Sequence, residues 1–369
     1  MTQNVKRILR VGVVGCGEVA QVVHLPTLQL LHDRFKVVAL CDVSPALLDH
    51  CGRKFGVQRH YSDFHQLCRD PEVDLVLILS ADEYHAEIAI AAADAKKHVL
   101  VEKPMCLTRR DASAIVEAAQ RNAGVIVFVG TMRRYAAAFE RMKEEIRSLK
   151  SIHYVTVRDI IGDNSLFVGE SGAFPIYPTD FPAQASDERR ERGRKIAEEA
   201  LSPEQAGNSR DVGTYRLLGG LGTHDLSAMR ELLGMPRRCI AATRSRADGP
   251  PFLTALFEYD GFTATYETGI DHIADFDAHI EVIGDSKRLL LKYDTPYVKG
   301  LPVTLQIKER DENGHYTERL IRPTYEDPYT LQWQNLYAAI TEGKPVKTTP
   351  QDSAQDLEIF DMIMSNLAN

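Results

Sequence analysis

What this chain lacks narrows its chemistry before any motif is considered. Its six cysteines (Cys16, Cys41, Cys51, Cys68, Cys106 and Cys239) are scattered, without the C-x-x-C spacing that a zinc or dithiol site uses. No metal site is expected, and the thiols read as reduced, cytosolic ones. No run reaches the roughly 18 uninterrupted apolar residues that a membrane span needs. The opening residues MTQNVKRILRVGVVGCG enter a strand pattern without the apolar core of a secretion signal. The expectation is a cytoplasmic protein with no membrane partner. Basic excess is missing too: a formal net charge of -8 offers no electrostatic footprint for nucleic acid. Internal repeats and low-complexity tracts are also absent.

What is present favours two domains, since 369 residues exceed the roughly 100–200 of one. Up to about residue 130, short apolar runs alternate with amphipathic stretches. Candidate strands are Leu9–Val14, Lys36–Cys41, Asp74–Leu79, His98–Val101 and Val125–Val129. Such alternation predicts parallel strands with helical crossovers. Ser44 before Pro45, with Gly56 at the far end, delimits one helix; Thr108 with Asp111, and Gly124 beyond, delimits another. After a helix near Ala137–Leu149 the period falls to two, over Ile152–Val157, Leu253–Tyr259, Phe262–Glu267, His279–Ile283, Arg288–Tyr293 and Thr304–Lys308. Asp260-Gly261 and Asn313-Gly314 mark tight turns, so the second sheet is expected to be open-faced and largely antiparallel. The predicted organisation is an α/β dinucleotide-binding domain over 1–131 and an α+β domain over 132–369, with an insertion at about 160–211. The insertion's charge run DERRERGRK reads as a solvated helix face, and Tyr329–Thr341 and Ser353–Asn366 as amphipathic helices, with Trp333 in the core.

The motif VGVVGCGEVA sets Gly15, Gly17 and Ala20 as G-x-G-x-x-A between a strand and a helix. Gly15 allows the tight turn, Gly17 lets the backbone approach a pyrophosphate, and Ala20 permits close helix packing. Asp42, ending the next strand, suits the two hydroxyls of an adenosine ribose and repels a 2′-phosphate. NAD is the first choice of cofactor. No residue prohibits NADP, and Ser44 or Arg59 could reach a phosphate in some geometries. A second constellation, Glu102-Lys103-Pro104, closes a buried strand. There an ammonium can stabilise charge on a substrate oxygen, although a surface Lys-Glu pair is the plainer alternative.

At these residues the sequence resembles the Gfo/Idh/MocA oxidoreductase family, that of glucose-fructose oxidoreductase and inositol dehydrogenase. The resemblance rests on VGVVGCGEVA with His24-Leu25-Pro26, on Val73–Met105 with its EKP tripeptide, on GTMRRY at Gly130–Tyr135 and on THDLSAMRELLG from Thr223. It implies a Rossmann domain followed by an open-faced sheet domain carrying substrate contacts and an oligomer interface. It implies that Gly15, Gly17, Glu18, Val19, Asp42, Ser80, His85, Glu102 and Lys103 line the nicotinamide cofactor. It further implies that Lys103 sits beside the reacting carbon, that Arg134 and Tyr135 enter the substrate pocket, and that the substrate is a sugar or polyol.

The resemblance also makes His224 the acid/base. Its unperturbed pKa near 6.5 suits proton exchange with an alcohol. Gly220 and Ser227 stand where dehydrogenases of the family often carry aspartates, so Asp211, Tyr215 or a residue of the insertion could share the proton route. The plainer reading of His224 is a helix cap. Asp225 is assigned to substrate or, at a helix start, to the helix dipole; Arg158 is assigned to the pocket or to a surface ion pair. His24 and His272 read as structural or peripheral. The expected activity is NAD-dependent oxidation of a secondary hydroxyl of a sugar, glycoside or cyclitol. NAD-assisted glycoside elimination or hydrolysis, and a non-catalytic NAD-binding regulator, are the alternatives. An uncovered sheet face favours a homodimer or homotetramer.

Overall fold

The computed structural model describes residues 7–245 and 252–367. The chain divides into two compact units. The first comprises Met1–Gly130, Gly172–Ser202 and Trp333–Ala354; the second comprises Thr131–Ser171, Pro203–Gln332 and Gln355–Asn369.

In the first unit, β1 (Leu9–Val14), β2 (Phe35–Cys41), β3 (Arg59–Tyr61), β4 (Leu75–Ile78), β5 (His98–Glu102) and β6 (Val127–Gly130) form one parallel sheet in the order 3-2-1-4-5-6. The order reverses between β1 and β4, the switch point at which open α/β sheets bind ligands beyond their strand ends. All four residues of β4 are buried, as a strand covered on both faces requires. The helix caps follow the expected chemistry. Ser44 Oγ accepts from Leu47 N at 3.1 Å and Gly56 is left-handed, while Thr108 Oγ1 accepts from Asp111 N at 3.1 Å.

The second unit carries eight strands: β7 (Ile152–Gly162), β8 (Arg238–Arg244), β9 (Leu253–Glu258), β10 (Thr263–Asp271), β11 (Phe276–Gly284), β12 (Lys287–Tyr293), β13 (Thr304–Arg310) and β14 (Tyr316–Ile321). Their order is 14-13-12-11-7-10-9-8, antiparallel except for the β7/β10 pair. In β7, Val155, Val157, Asp159 and Ile161 are buried while the alternate residues are half-buried, so one face meets helices and the other stays open.

Three features depart from the sequence reading. Residues 132–369 are not one continuous domain, because Gly172–Ser202 and Trp333–Ala354 join the first unit. Trp333 packs edge-on to Phe35 with ring centroids 4.9 Å apart, which ties its helix to the parallel sheet. The charge run within Ala183–Ala200 is docked rather than fully solvated: Arg192 pairs with Glu87 at 2.8 Å and lies 4.5 Å above the Tyr84 ring, and Arg189 pairs with Glu83. Finally, β3, β8 and β14 escape the period-two reading. All three are edge strands, and their exposed residues include His60, Ile240 and Tyr316.

Candidate active site

The glycine turn follows from backbone geometry. Gly15 has φ +97°, and a Cβ there would lie 2.5 Å from the carbonyl carbon of Leu79. Any other residue would meet both the strained dihedral and the backbone of Leu79 and Ser80 just beyond β4. In front of Gly17 there is open space, with no atom within 4 Å of an added Cβ. The helix begins with Glu18 and Val19 and widens into a π turn at Ala20–His24, where Leu25 N bonds to Ala20 O. Asp42 is anchored by two amides: Oδ2 accepts from Cys16 N at 2.7 Å and Oδ1 from Ser44 N at 2.9 Å. Burial pushes its carboxyl above the usual aspartate range. Beyond β4, Ser80 Oγ is buried with no hydrogen-bond partner. Open space at Gly17, an orphaned hydroxyl at Ser80 and an acid at the end of β2 fit a dinucleotide.

The EKP segment is held from behind. His24, fully buried, has Nε2 3.0 Å from Glu102 Oε1, while Glu102 Oε2 accepts from Lys103 N at 3.2 Å. Trp333 Nε1, which can only donate, lies 3.1 Å from His24 Nδ1. Nδ1 must therefore accept, leaving Nε2–H to donate to Glu102. Gly130 makes room, since a Cβ there would sit 2.8 Å from Glu102 Oε1. His85 sits between backbone carbonyls, Nδ1 2.8 Å from Pro104 O and Nε2 3.0 Å from Ser80 O. That arrangement makes the ring a brace between two strand ends. Lys103 itself is half-buried, directly after β5.

In the second unit His224 is 8% exposed and belongs to the helix Thr223–Leu233. The glycine run before it is not a turn but a π-helical segment, Leu218–Gly222, that joins this helix to Ser209–Leu217 without a break. A Cβ at Gly222 would lie 2.7 Å from Tyr266 Oη, so this glycine admits the tyrosine against the helix. With no helix start at 223, the dipole role of Asp225 falls away. Asp225 is instead buried in an ion pair with Arg133, whose guanidinium also meets Asp159, with Nη1 3.0 Å from Oδ2. Asp211 pairs with Arg244 at 2.6 Å, and Tyr215 packs edge-on to Phe360.

Family models match both parts of the chain. One, described as an oxidoreductase family, NAD-binding Rossmann fold, spans residues 9–131, and its companion, the C-terminal alpha/beta domain, spans 210–368. The chain belongs to the Gfo/Idh/MocA oxidoreductase family. Among its relatives, myo-inositol 2-dehydrogenase of Thermotoga maritima is 37% identical over 140 residues, which is 38% of this chain and 41% of that enzyme's length. Inositol 2-dehydrogenase 2 of Saccharopolyspora erythraea is 25% identical over 98% of this chain and 93% of its own. Two solved structures share the fold. Levoglucosan dehydrogenase in complex with NADH and levoglucosan superposes with TM-score 0.73 at 20% identity, covering 98% of this chain and 97% of the other. A 3-ketoreductase from Actinomadura kijaniata in complex with NADP gives 0.71 at 18%, covering 98% of each chain. The same fold thus accommodates either dinucleotide.

Among the residues assigned to substrate, the Gfo/Idh/MocA chain keeps several engaged elsewhere. Arg134 is buried with Nε 2.5 Å from Glu231 Oε2, and Tyr135 is buried beside it in sequence. Arg158 lies on the open face of the sheet, bound to Glu267 at 2.6 Å and Asp277 at 3.1 Å, whereas its neighbour Asp159 points to the helical face with Asp225. Strand alternation therefore puts Arg158 and Asp225 on opposite sides of one sheet, and a single pocket does not collect them. Sequence reasoning missed Gln21 and Asp180, and it read Tyr177, with Phe167, Phe174 and Phe181, only as an insertion aromatic covering one side of the pocket or binding an aglycone, without its contact to Glu18. Gln21 bonds the backbone of Ile176 through both side-chain atoms, Tyr177 Oη donates to Glu18 Oε2 at 2.5 Å, and Asp180 binds Ser44. Partners more than 130 positions apart leave no local pattern to read.

Proposed function

We propose that this oxidoreductase uses NAD to oxidise a secondary hydroxyl of a sugar, glycoside or cyclitol, or to reduce the corresponding ketone. The observation that carries the reading is the buried His24–Glu102 pair behind Lys103, which fixes a lysine at the carboxyl edge of a parallel sheet whose glycine turn fits a dinucleotide. The named relatives act on inositol and levoglucosan, both polyhydroxylated rings. Bound NAD would supply the hydride acceptor. In this proposal Lys103 donates a hydrogen bond to the reacting oxygen and His224 takes the hydroxyl proton, while Arg134 and Tyr135 shape the substrate domain from within its core. The six cysteines are all buried free thiols, consistent with a cytoplasmic enzyme. A homodimer or homotetramer covering the open sheet face completes the reading.

The test is NADH absorbance with NAD against a panel of cyclitols, anhydrosugars and glycosides, using wild type, Lys103→Ala and His224→Ala. Loss of an oxygen-polarising or proton-transfer group should lower kcat by about 10²–10⁴-fold. Turnover that survives His224→Ala would remove the histidine from the mechanism. Glycoside cleavage without NADH accumulation would replace net oxidation by transient oxidation.

A further inference from the structure

Residues 172–182 form a strap fastened to the cofactor turn at several points within the first unit. Lys54 Nζ donates to Ala173 O at 2.8 Å, Ile176 N to Gln21 Oε1 at 2.9 Å, and Tyr177 Oη to Glu18 Oε2 at 2.5 Å. At its end, Asp180 Oδ1 accepts from Ser44 Oγ at 2.5 Å, and Oδ2 accepts from Ala46 N at 2.9 Å. We propose that Asp180 is an internal substitute for a cofactor 2′-phosphate: its carboxylate occupies the donors such a phosphate needs, and thereby restricts the enzyme to NAD. The proposal rests on the dinucleotide reading above.

The argument starts at Asp42. Its oxygens receive Cys16 N and Ser44 N, and each retains a lone pair for a ribose hydroxyl. A phosphate on the 2′-hydroxyl would stand just beyond Asp42, where the next donors in the chain are Ser44 Oγ and the first amides of the helix Pro45–Phe55. Such a helix start is a ready anion site, and Pro45 leaves Ala46 N as its first available amide. Both donors are already bound to one carboxylate. That carboxylate adds a second negative charge beside Asp42, so a phosphate would meet repulsion as well as missing donors. Arg59, the other group expected to reach a phosphate, is held by Asp70 through Nη1 at 3.0 Å and 3.1 Å. Cofactor choice is in this way divided between the end of β2 and a segment more than 130 residues later in the chain.

The experiment is calorimetric titration of the full-length protein with NADH and with NADPH, comparing wild type, Asp180→Ala and Tyr177→Phe. Wild type should bind NADH more tightly. Asp180→Ala should narrow the NADH/NADPH affinity ratio by at least about tenfold, mainly by tightening NADPH. Tyr177→Phe, which loosens the strap but keeps the carboxylate, should leave the ratio within about threefold. An unchanged ratio in Asp180→Ala overturns the proposal. So does an equal change in Tyr177→Phe, or a wild type that already binds NADPH as well as NADH. Wild type that binds neither dinucleotide would sink the dehydrogenase reading, and with it this one; the outcomes are therefore distinguishable.

Discussion

The indole N–H of Trp333 donates to Nδ1 of His24 at 3.1 Å, across 309 positions of sequence. This bond selects the imidazole tautomer that presents Nε2–H to Glu102, the residue before Lys103. Trp333→Phe keeps an aromatic ring against Phe35 but removes the donor and releases the tautomer. The expected cost is about 1–3 kcal/mol of unfolding free energy, since a buried acceptor loses its partner. Urea denaturation followed by circular dichroism measures it, and kcat should fall along with it. Unchanged stability and kcat would show that Glu102 keeps its place without the indole.

Arg133 sits between two buried carboxylates, Asp159 and Asp225. Arg133→Met should destabilise the protein by about 3–5 kcal/mol, because it leaves uncompensated charge in the interior. Burial already raises the Asp225 carboxyl well above the ordinary range. A carboxyl raised in the folded state binds its proton more tightly there than in the unfolded chain. Lowering pH from neutrality toward the unfolded aspartate value therefore favours the folded state, and the deficit of the variant should shrink on acidification. Denaturation at neutral and mildly acidic pH reads both quantities; a deficit that grows with acid would contradict the pairing.

Asp42 makes a separate prediction about pH. Its carboxyl is raised chiefly by burial, with the charge of Asp180 adding to the shift against the amide hydrogen bonds from Cys16 and Ser44. Once protonated, it is a weaker acceptor for ribose hydroxyls. NADH affinity should therefore begin to fall at a pH above the ordinary aspartate range. In Asp180→Asn the acid limb should move to lower pH, since one like charge is gone. A limb that stays fixed in that variant would mean that the two carboxylates do not interact.

Much of the first unit was legible in the sequence because its determinants are local. Gly15, with a left-handed backbone, Ser44 as a helix cap and Asp42 at a strand end each sit where neighbouring residues dictate. The run LLGGLG before His224 was misleading for the same reason. Glycines usually mark a turn, but here packing keeps them helical through a π turn, and the predicted helix start disappears. The edge strands β3 and β14 were hidden because exposed strands need no apolar alternation.

By itself the sequence determined the alternation of inner strands and helices in the first unit, the dinucleotide turn, the acid that follows it and the lysine after β5. Those are properties of short segments, in which dihedral preference and period act within a few residues. Only the tertiary structure decided that Trp333 joins the first core, that Asp180 caps the helix after Ser44, and that Asp225 is bound to Arg133. Such partners are chosen by burial and charge among residues distant in the chain, and periodicity, which identifies an apolar face, does not say what that face will meet.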